Sequence, residues 1–308
     1  MSNILVVGSL AYDSIETPTG KVEKALGGSA NYFSIAAALT AKVRVVGVVG
    51  DDYEESNVDL LKSRGVDLQG MQKQAGKTFH WSGAYEGDMN QAITRATELN
   101  VFENFNPILP ALYQNSEFVF LANISPDLQL KVLEQVKNPF YVGMDTMNFW
   151  ITSKLPDLRK VLSKVNVVLI NEGEAKMLTG ASNAIGAAKI MTAAGGPEAI
   201  VIKRGEYGFI LYHRTDGYFI LPAFPVPTVI DPTGAGDTFA GGFFGALASF
   251  NRKPSFEDLK MACIRGTLLA SFTIQDFSLN ALKQVTESQV QSRLREFSQM
   301  LAFGKNIL

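Results

Sequence analysis

The residues best suited to chemistry lie in one run, Asp231-Pro-Thr-Gly-Ala-Gly-Asp237-Thr-Phe-Ala-Gly-Gly-Phe243. An apolar, β-branched stretch precedes it (Val226, Thr228, Val229, Ile230), and residues 238–249 read as a helix of small side chains. A strand, a glycine-rich turn and a helix start are therefore expected to meet at one aspartate. Glycines at 234 and 236 permit a tight turn with bare N–H groups aimed outward. The first turn of a helix accepts an anion, through its unpaired N–H groups and partial positive charge. A carboxylate at such a place calls for a task. Taking a proton from a hydroxyl is one, beside amides of Gly234, Ala235 and Gly236 that hold a transferring phosphoryl group. Ordinary turn chemistry, with Asp237 favoured by the helix dipole, is the plainer reading. The ordered run in a strand–turn–helix context weighs against it.

Two neighbouring templates fail. The dinucleotide fingerprint lacks its third glycine, because Phe239 stands there. The only Gly-Lys-Thr, at 76–78, has Met71 where a P-loop needs its first glycine.

Three further groups carry polar chemistry. Asp13 follows the strand-ending Gly8-Ser9, where a carboxylate can accept from two hydroxyls or simply guard an exposed sheet edge. Gly27 and Gly28 allow close backbone approach, and Asn31, one turn into a helix, offers both a donor and an acceptor. Asn171-Glu-Gly-Glu174 follows a buried strand and reads as a helix N-cap, while Lys203-Arg-Gly205-Glu-Tyr-Gly208 reads as a turn between two strands.

These residues need a scaffold, and the apolar pattern supplies one. Runs at 4–7, 43–49, 117–121, 140–144, 167–170 and 199–202 read as buried strands. Between them, Tyr32, Ile35, Ala36 and Leu39 form a helical stripe, and 129–136 and 184–193 read as further helices. Val290, Leu294, Phe297 and Leu301 mark a closing amphipathic helix. The alternation predicts an α/β fold: a mainly parallel sheet with helices on both faces, in a single domain spanning 1–308. Segments of about 11–25 and 77–86 break the alternation as inserted half-buried strands. In the second, Phe79, Trp81 and Tyr85 share one face, and Thr78, His80, Ser82 and Glu86 the other.

Composition narrows the function. A chain of 308 residues with 46% apolar content can bury a large core. Its net charge of −2 and lack of a long basic stretch argue against nucleic acid as the main partner. Two histidines, His80 and His213, leave little room for histidine metal sites, and one cysteine excludes an internal disulfide. Cys263 shares a helical face with Leu259, Ala262, Gly266, Leu269 and Ala270 and reads as core. The N-terminus opens into a strand without a basic-then-apolar leader, and the most apolar stretch, 238–250, is too short for a membrane span. A cytoplasmic protein with no membrane partner is expected.

The Asp231–Phe243 run resembles the signature of the ribokinase-like (PfkB) family of carbohydrate and nucleoside kinases. A second motif, Gly27-Gly28-Ser29-Ala30-Asn31-Tyr32-Phe33-Ser34, is similar to that family's first signature, and the two stand in the family's order. The resemblance implies an ATP-dependent phosphotransferase with Asp237 as general base and Gly234, Ala235 and Gly236 as anion hole. It implies acceptor contacts from Asp13, Gly27, Gly28 and Asn31, and nucleotide contacts from Asn171, Lys203, Gly205, Thr233, Gly234 and Gly236. It also implies Mg2+ held through water by Glu174, and a lid, often a homodimer contact, from the inserted strands. A monovalent cation site occurs in the family, but no residue here reveals one.

Departures from the family pattern bear on the substrate. The ribokinase form of the first motif has a lysine and a further glycine that this chain lacks. Members acting on acidic or phosphorylated sugars often place an arginine after an Asp-x-Asn element. Here Asp145-Thr-Met-Asn148-Phe-Trp150 supplies aromatics instead. A neutral sugar is therefore expected, with a nucleoside as the alternative. A non-catalytic binder on the same fold is the further one. The rings of Phe79, Trp81, Phe149 and Trp150 are candidates to stack on the acceptor.

Overall fold

The computed structural model describes residues 2–302 apart from Asp88 and Ala194. Its strands are β1 (Asn3–Val7), β2 (Ala11–Thr17), β3 (Gly20–Gly27), β4 (Lys42–Val49), β5 (Asp67–Lys73), β6 (Phe79–Tyr85) and β7 (Ala92–Glu98). They continue as β8 (Phe118–Leu121), β9 (Tyr141–Met144), β10 (Val167–Asn171), β11 (Ala199–Lys203), β12 (Phe209–His213) and β13 (Gly217–Leu221). Among the described residues, nine of them form one sheet in the order β13-β12-β11-β10-β9-β8-β1-β4-β5. Every pairing from β11 to β5 is parallel; β12 and β13 add an antiparallel edge.

The apolar runs form this sheet because each strand has two faces to bury. In β1, Ile4 and Val6 enter one core while Leu5 and Val7 enter the other. In β11, Ala199 and Val201 part from Ile200 and Ile202 in the same way. Strands buried on both sides read as continuous apolar runs, and helices cover both faces. One face carries Ser29–Ala37, Ala235–Phe250, Phe256–Thr273 and Glu287–Met300; the other carries Pro126–Leu133, Leu155–Leu162, Glu172–Thr179 and Ala184–Met191. Cys263 is fully buried in the first core, as expected. None of the described helices is long and apolar enough to cross a membrane.

Glycines set how closely two helices cross. A Cβ at Gly241 would fall 2.3 Å from the Phe33 carbonyl oxygen, so Ala235–Phe250 lies directly on Ser29–Ala37. That contact brings together the two glycine motifs, which are far apart in sequence.

The inserted strands build a second sheet, ordered β3-β2-β6-β7 among the described residues. The segment near 11–25 is two strands, and the one near 77–86 is paired by β7, which the sequence pattern did not show. All seven residues of β7 are exposed, so no apolar alternation marks it. Thr78 anchors the sheet: its N–H and hydroxyl both donate to Asp52 Oδ1 at 2.7 Å, and its hydroxyl oxygen accepts from Gly50 N at 3.0 Å. The stretch before Asp231 corrects an expectation, since no strand forms there. Pro222, Pro225 and Pro227 remove the N–H groups that a ladder needs.

Candidate functional site

The candidate groups collect where the parallel strands end. Asn171 and Lys203 are the last residues of β10 and β11, and Asp145 follows β9 directly. In open α/β sheets this carboxyl edge is where ligands bind. The turn 231–237 meets it from the opposite core.

Gly234 opens the helix Ala235–Phe250 in a left-handed conformation, φ 74°, and Asp237 lies in the first turn. Glycine is required at 234 twice over. The positive φ suits only it, and an added Cβ would fall 2.4 Å from the Tyr32 ring. The N–H groups of Gly234 and Gly236 have no acceptor among the described residues, so they stand ready for an anion. Ala235 departs from the expected trio, because its N–H donates to the Pro232 carbonyl at 3.2 Å and closes the turn. Asp231 is a fastener: its two oxygens accept from Thr233 N at 2.8 Å and Ser278 N at 3.0 Å.

Asp237 has an environment that favours the neutral acid. Burial, then the Asp145 carboxylate, pushes its carboxyl up to about 7, with Lys203 opposing. Lys203 Nζ sits 3.1 Å from Asp145 Oδ2 and so close to Gly236 that a Cβ there would be 2.8 Å away. Lys203 thus lies beside the 231–237 turn, among Asp145, Glu174 and Asp237. Burial alone would pull its ammonium down, but those carboxylates hold it above the usual lysine range.

Asn171 and Glu174 form a reciprocal cap: Asn171 Oδ1 accepts from Glu174 N at 2.8 Å and Glu174 Oε2 from Asn171 N at 3.1 Å. Burial and Asp145 push the Glu174 carboxyl up to about 7. Three carboxyls therefore face one ammonium. This surplus of negative charge fits a hydrated divalent cation. Among the described residues no group of three His, Cys, Asp or Glu side chains is placed to hold a metal ion directly.

On the other side of the turn, Asp13 is 5% exposed, and its carboxylate rests on Gly27, where a Cβ would lie 2.0 Å from Oδ2. Burial raises its carboxyl to about 7 against the Gly28 N–H that donates to it, and Asp231 and Asp237 add to the rise. Gly28, φ 90°, has no room for a side chain against Ser9 and Ala11. Asn31 is fully buried: its Nδ2 donates to Gly27 O at 2.6 Å and its Oδ1 accepts from Tyr53 at 3.2 Å. It shapes the glycine pair.

The small sheet contacts these groups. Pairing of β2 with β6 sets Trp81 beside Asp13 on one face, and the Tyr85 oxygen accepts from Thr233 Oγ1 at 3.3 Å. Beyond Tyr85, Asn90 Oδ1 presses on Gly205, 2.2 Å from where a Cβ would sit, and Gln91 Nε2 reaches Gly173, 3.7 Å on the same measure. The other candidate rings are engaged: Phe79 stacks on Phe102, and Phe149 meets Trp150 edge to face. Trp150 donates to Asn123 at 2.9 Å and Trp81 to Thr94 at 3.2 Å.

Sequence reasoning had not assigned Asp145, Tyr32 or Tyr85 to the site. Asp145 carried a signal, an acid directly after an apolar strand in a parallel sheet. The two tyrosines carried none, since burial of their rings looks like core.

Both glycine motifs thus converge on one acid-rich site at the carboxyl edge of a ribokinase-like sheet. The chain belongs to the pfkB family of carbohydrate kinases, which it matches over residues 1–285, and it is a carbohydrate or nucleoside kinase. It is similar to a cytidine kinase of Thermococcus kodakarensis, with 33% identity over 273 residues, 86% of this chain and 93% of that one. Among solved structures, the nucleoside kinase of Methanocaldococcus jannaschii superimposes with a TM-score of 0.76 at 20% identity, covering 96% of this chain and 99% of that one. A Burkholderia thailandensis nucleoside kinase in complex with inosine also gives 0.76, at 19% identity, over 97% and 99% of the two chains.

Proposed function

We propose that the protein transfers the γ-phosphoryl group of ATP to the hydroxymethyl group of a ribonucleoside, with a pyrimidine such as cytidine as the first candidate. The observation that carries the reading is that two buried carboxyls flank the same turn: Asp13 rests on Gly27, and Asp237 lies in the first helical turn next to Gly236, against which Lys203 packs. One suits hydroxyl binding and the other proton removal. The sequence put a free neutral sugar first, but the names of the relatives give the nucleoside at least equal support.

In this reading Asp237 accepts the proton of the hydroxymethyl group as its oxygen attacks the γ-phosphorus, and ADP leaves in line. The Gly234 and Gly236 amides and Lys203 face the transferring oxygens. Asp13 accepts from ring hydroxyls above Gly27 and Gly28. Asn171, Gly205 and Thr233 border the nucleotide. Magnesium would be held through water by Glu174 with Asp145, and when bound it neutralises phosphate charge. The small sheet serves as a lid that excludes water, and the open β7 face supports pairing of two copies. A cytoplasmic location suits these substrates.

A coupled ADP-release assay with Mg-ATP tests this across cytidine, uridine, adenosine, inosine, ribose and fructose. Turnover of a nucleoside well above that of the free sugars is expected. Turnover confined to free sugars would overturn the nucleoside reading and leave the kinase.

A further inference from the structure

We propose that the Tyr32 hydroxyl is a specificity-determining hydrogen-bond donor to the acceptor, reaching a ring oxygen or ring hydroxyl of the sugar that Asp13 holds. The inference rests on the kinase reading above and assigns one contact within it. Tyr32 is 1% exposed, and its hydroxyl is buried with no hydrogen-bond partner among the described residues. An orphaned buried hydroxyl is uncommon and needs a reason. The titratable groups around it are Asp13 from β2, Asp231 and Asp237 from the turn and helix start, and Tyr85 from β6. These are the groups that line the cleft.

The ring explains where the hydroxyl points. It lies flat against the bare Cα of Gly234 and packs in the core beneath the anion-binding turn. Phenylalanine would fill that space equally well, so packing does not account for the oxygen. Substrate chemistry does. In the ionised form that proton removal requires, the carboxylates only accept, whereas a sugar presents oxygens that must also receive a proton, above all the ring ether oxygen, which cannot donate at all. A cleft of carboxylates alone would bury those acceptors unpaired, at a cost in affinity. Tyr85 accepts from Thr233 and keeps its own proton, but it belongs to the small sheet, while Tyr32 is fixed in the main body. It is the donor in place before the acceptor arrives.

The test compares Tyr32→Phe with the wild type on cytidine, its carbocyclic analogue (ring oxygen replaced by methylene) and its 2′- and 3′-deoxy analogues. The substitution is expected to raise KM for cytidine about tenfold, with KM for ATP and Tm unchanged. One analogue should cost the wild type a similar factor and cost Tyr32→Phe nothing further, because both changes remove the same bond. An unchanged KM overturns the proposal. So does a penalty that multiplies with that of every analogue, or a joint rise of both KM values with a lower Tm. If the wild type turns over only a free sugar, the nucleoside reading fails and the comparison is made with that sugar and its deoxy and carbocyclic forms. A wild type inactive on both classes overturns both readings.

Discussion

Lys203 and Asp145 are joined across a strand that separates them. Their ion pair, 3.1 Å from Nζ to Oδ2, bridges the ends of β11 and β9 over the intervening β10. It ties together the side of the sheet that carries Asn171 and Glu174, and it sets the ammonium against Gly236. A pair buried this way is costly to break, because the survivor keeps an uncompensated charge.

Lys203→Met should therefore lower stability by about 3 kcal/mol in urea unfolding at neutral pH. Adding Asp145→Asn should restore part of it, since the stranded carboxylate is gone. Turnover should be lost in both variants. An equal or greater loss of stability in the double variant would show that the pair does not act as a unit.

Asp237→Asn should reduce kcat by about two to four orders of magnitude while Mg-ATP still raises Tm. The side chain is nearly isosteric and the helix start is unchanged. Activity within a few-fold of wild type would remove Asp237 from the role of base.

The pH dependence should run in opposite directions for rate and stability. Asp237 must be ionised to accept a proton, so kcat/KM should rise as pH passes through about 7. The folded-state pKa values of Asp13, Glu174 and Asp237 are raised to about 7, so between roughly pH 4 and 7 the folded protein binds more protons than the unfolded chain. Their contribution to stability therefore falls across that window and levels off above it. Thermal melts of the ligand-free protein should show this decline from pH 5 to 8, and Asp237→Asn should flatten it. A profile that rises over the same range would contradict the shifts.

Asp13→Ala should raise KM for the acceptor at least tenfold with KM for ATP little changed. The carboxylate rests on Gly27 and accepts from Gly28, so a structural role would instead lower Tm and move both KM values together.

Much of this was legible in the sequence, and the reasons are physical. Parallel strands must bury both faces, so runs such as Ile4–Val7 stand out, and six runs placed six strands of the main sheet. The turn around Gly234 was legible because positive φ and the lack of space admit only glycine. The stretch 226–230 misled because β-branched residues suggested a ladder that the prolines before them prevent. β7 was invisible because a strand exposed on both faces has no pattern to show. The partners of Asn31 and Ala235 were not legible, because which atom a buried amide or a turn N–H meets depends on the backbone path at Gly27 and Pro232 and, for Asn31, on Tyr53 from a distant segment.

Tyr85 at the end of β6, and Asn90 and Gln91 just before β7, touch both halves of the site. Tyr85 meets Thr233 on one side, while Asn90 Oδ1 lies close against Gly205 and Gln91 Nε2 near Gly173, just past the ends of β11 and β10. Two doors hung on one frame cannot swing separately. On the proposed function, a movement of the β6–β7 pair that frees one product also loosens its hold on the other, so departure of the phosphorylated acceptor and of ADP would share a single rate-setting motion.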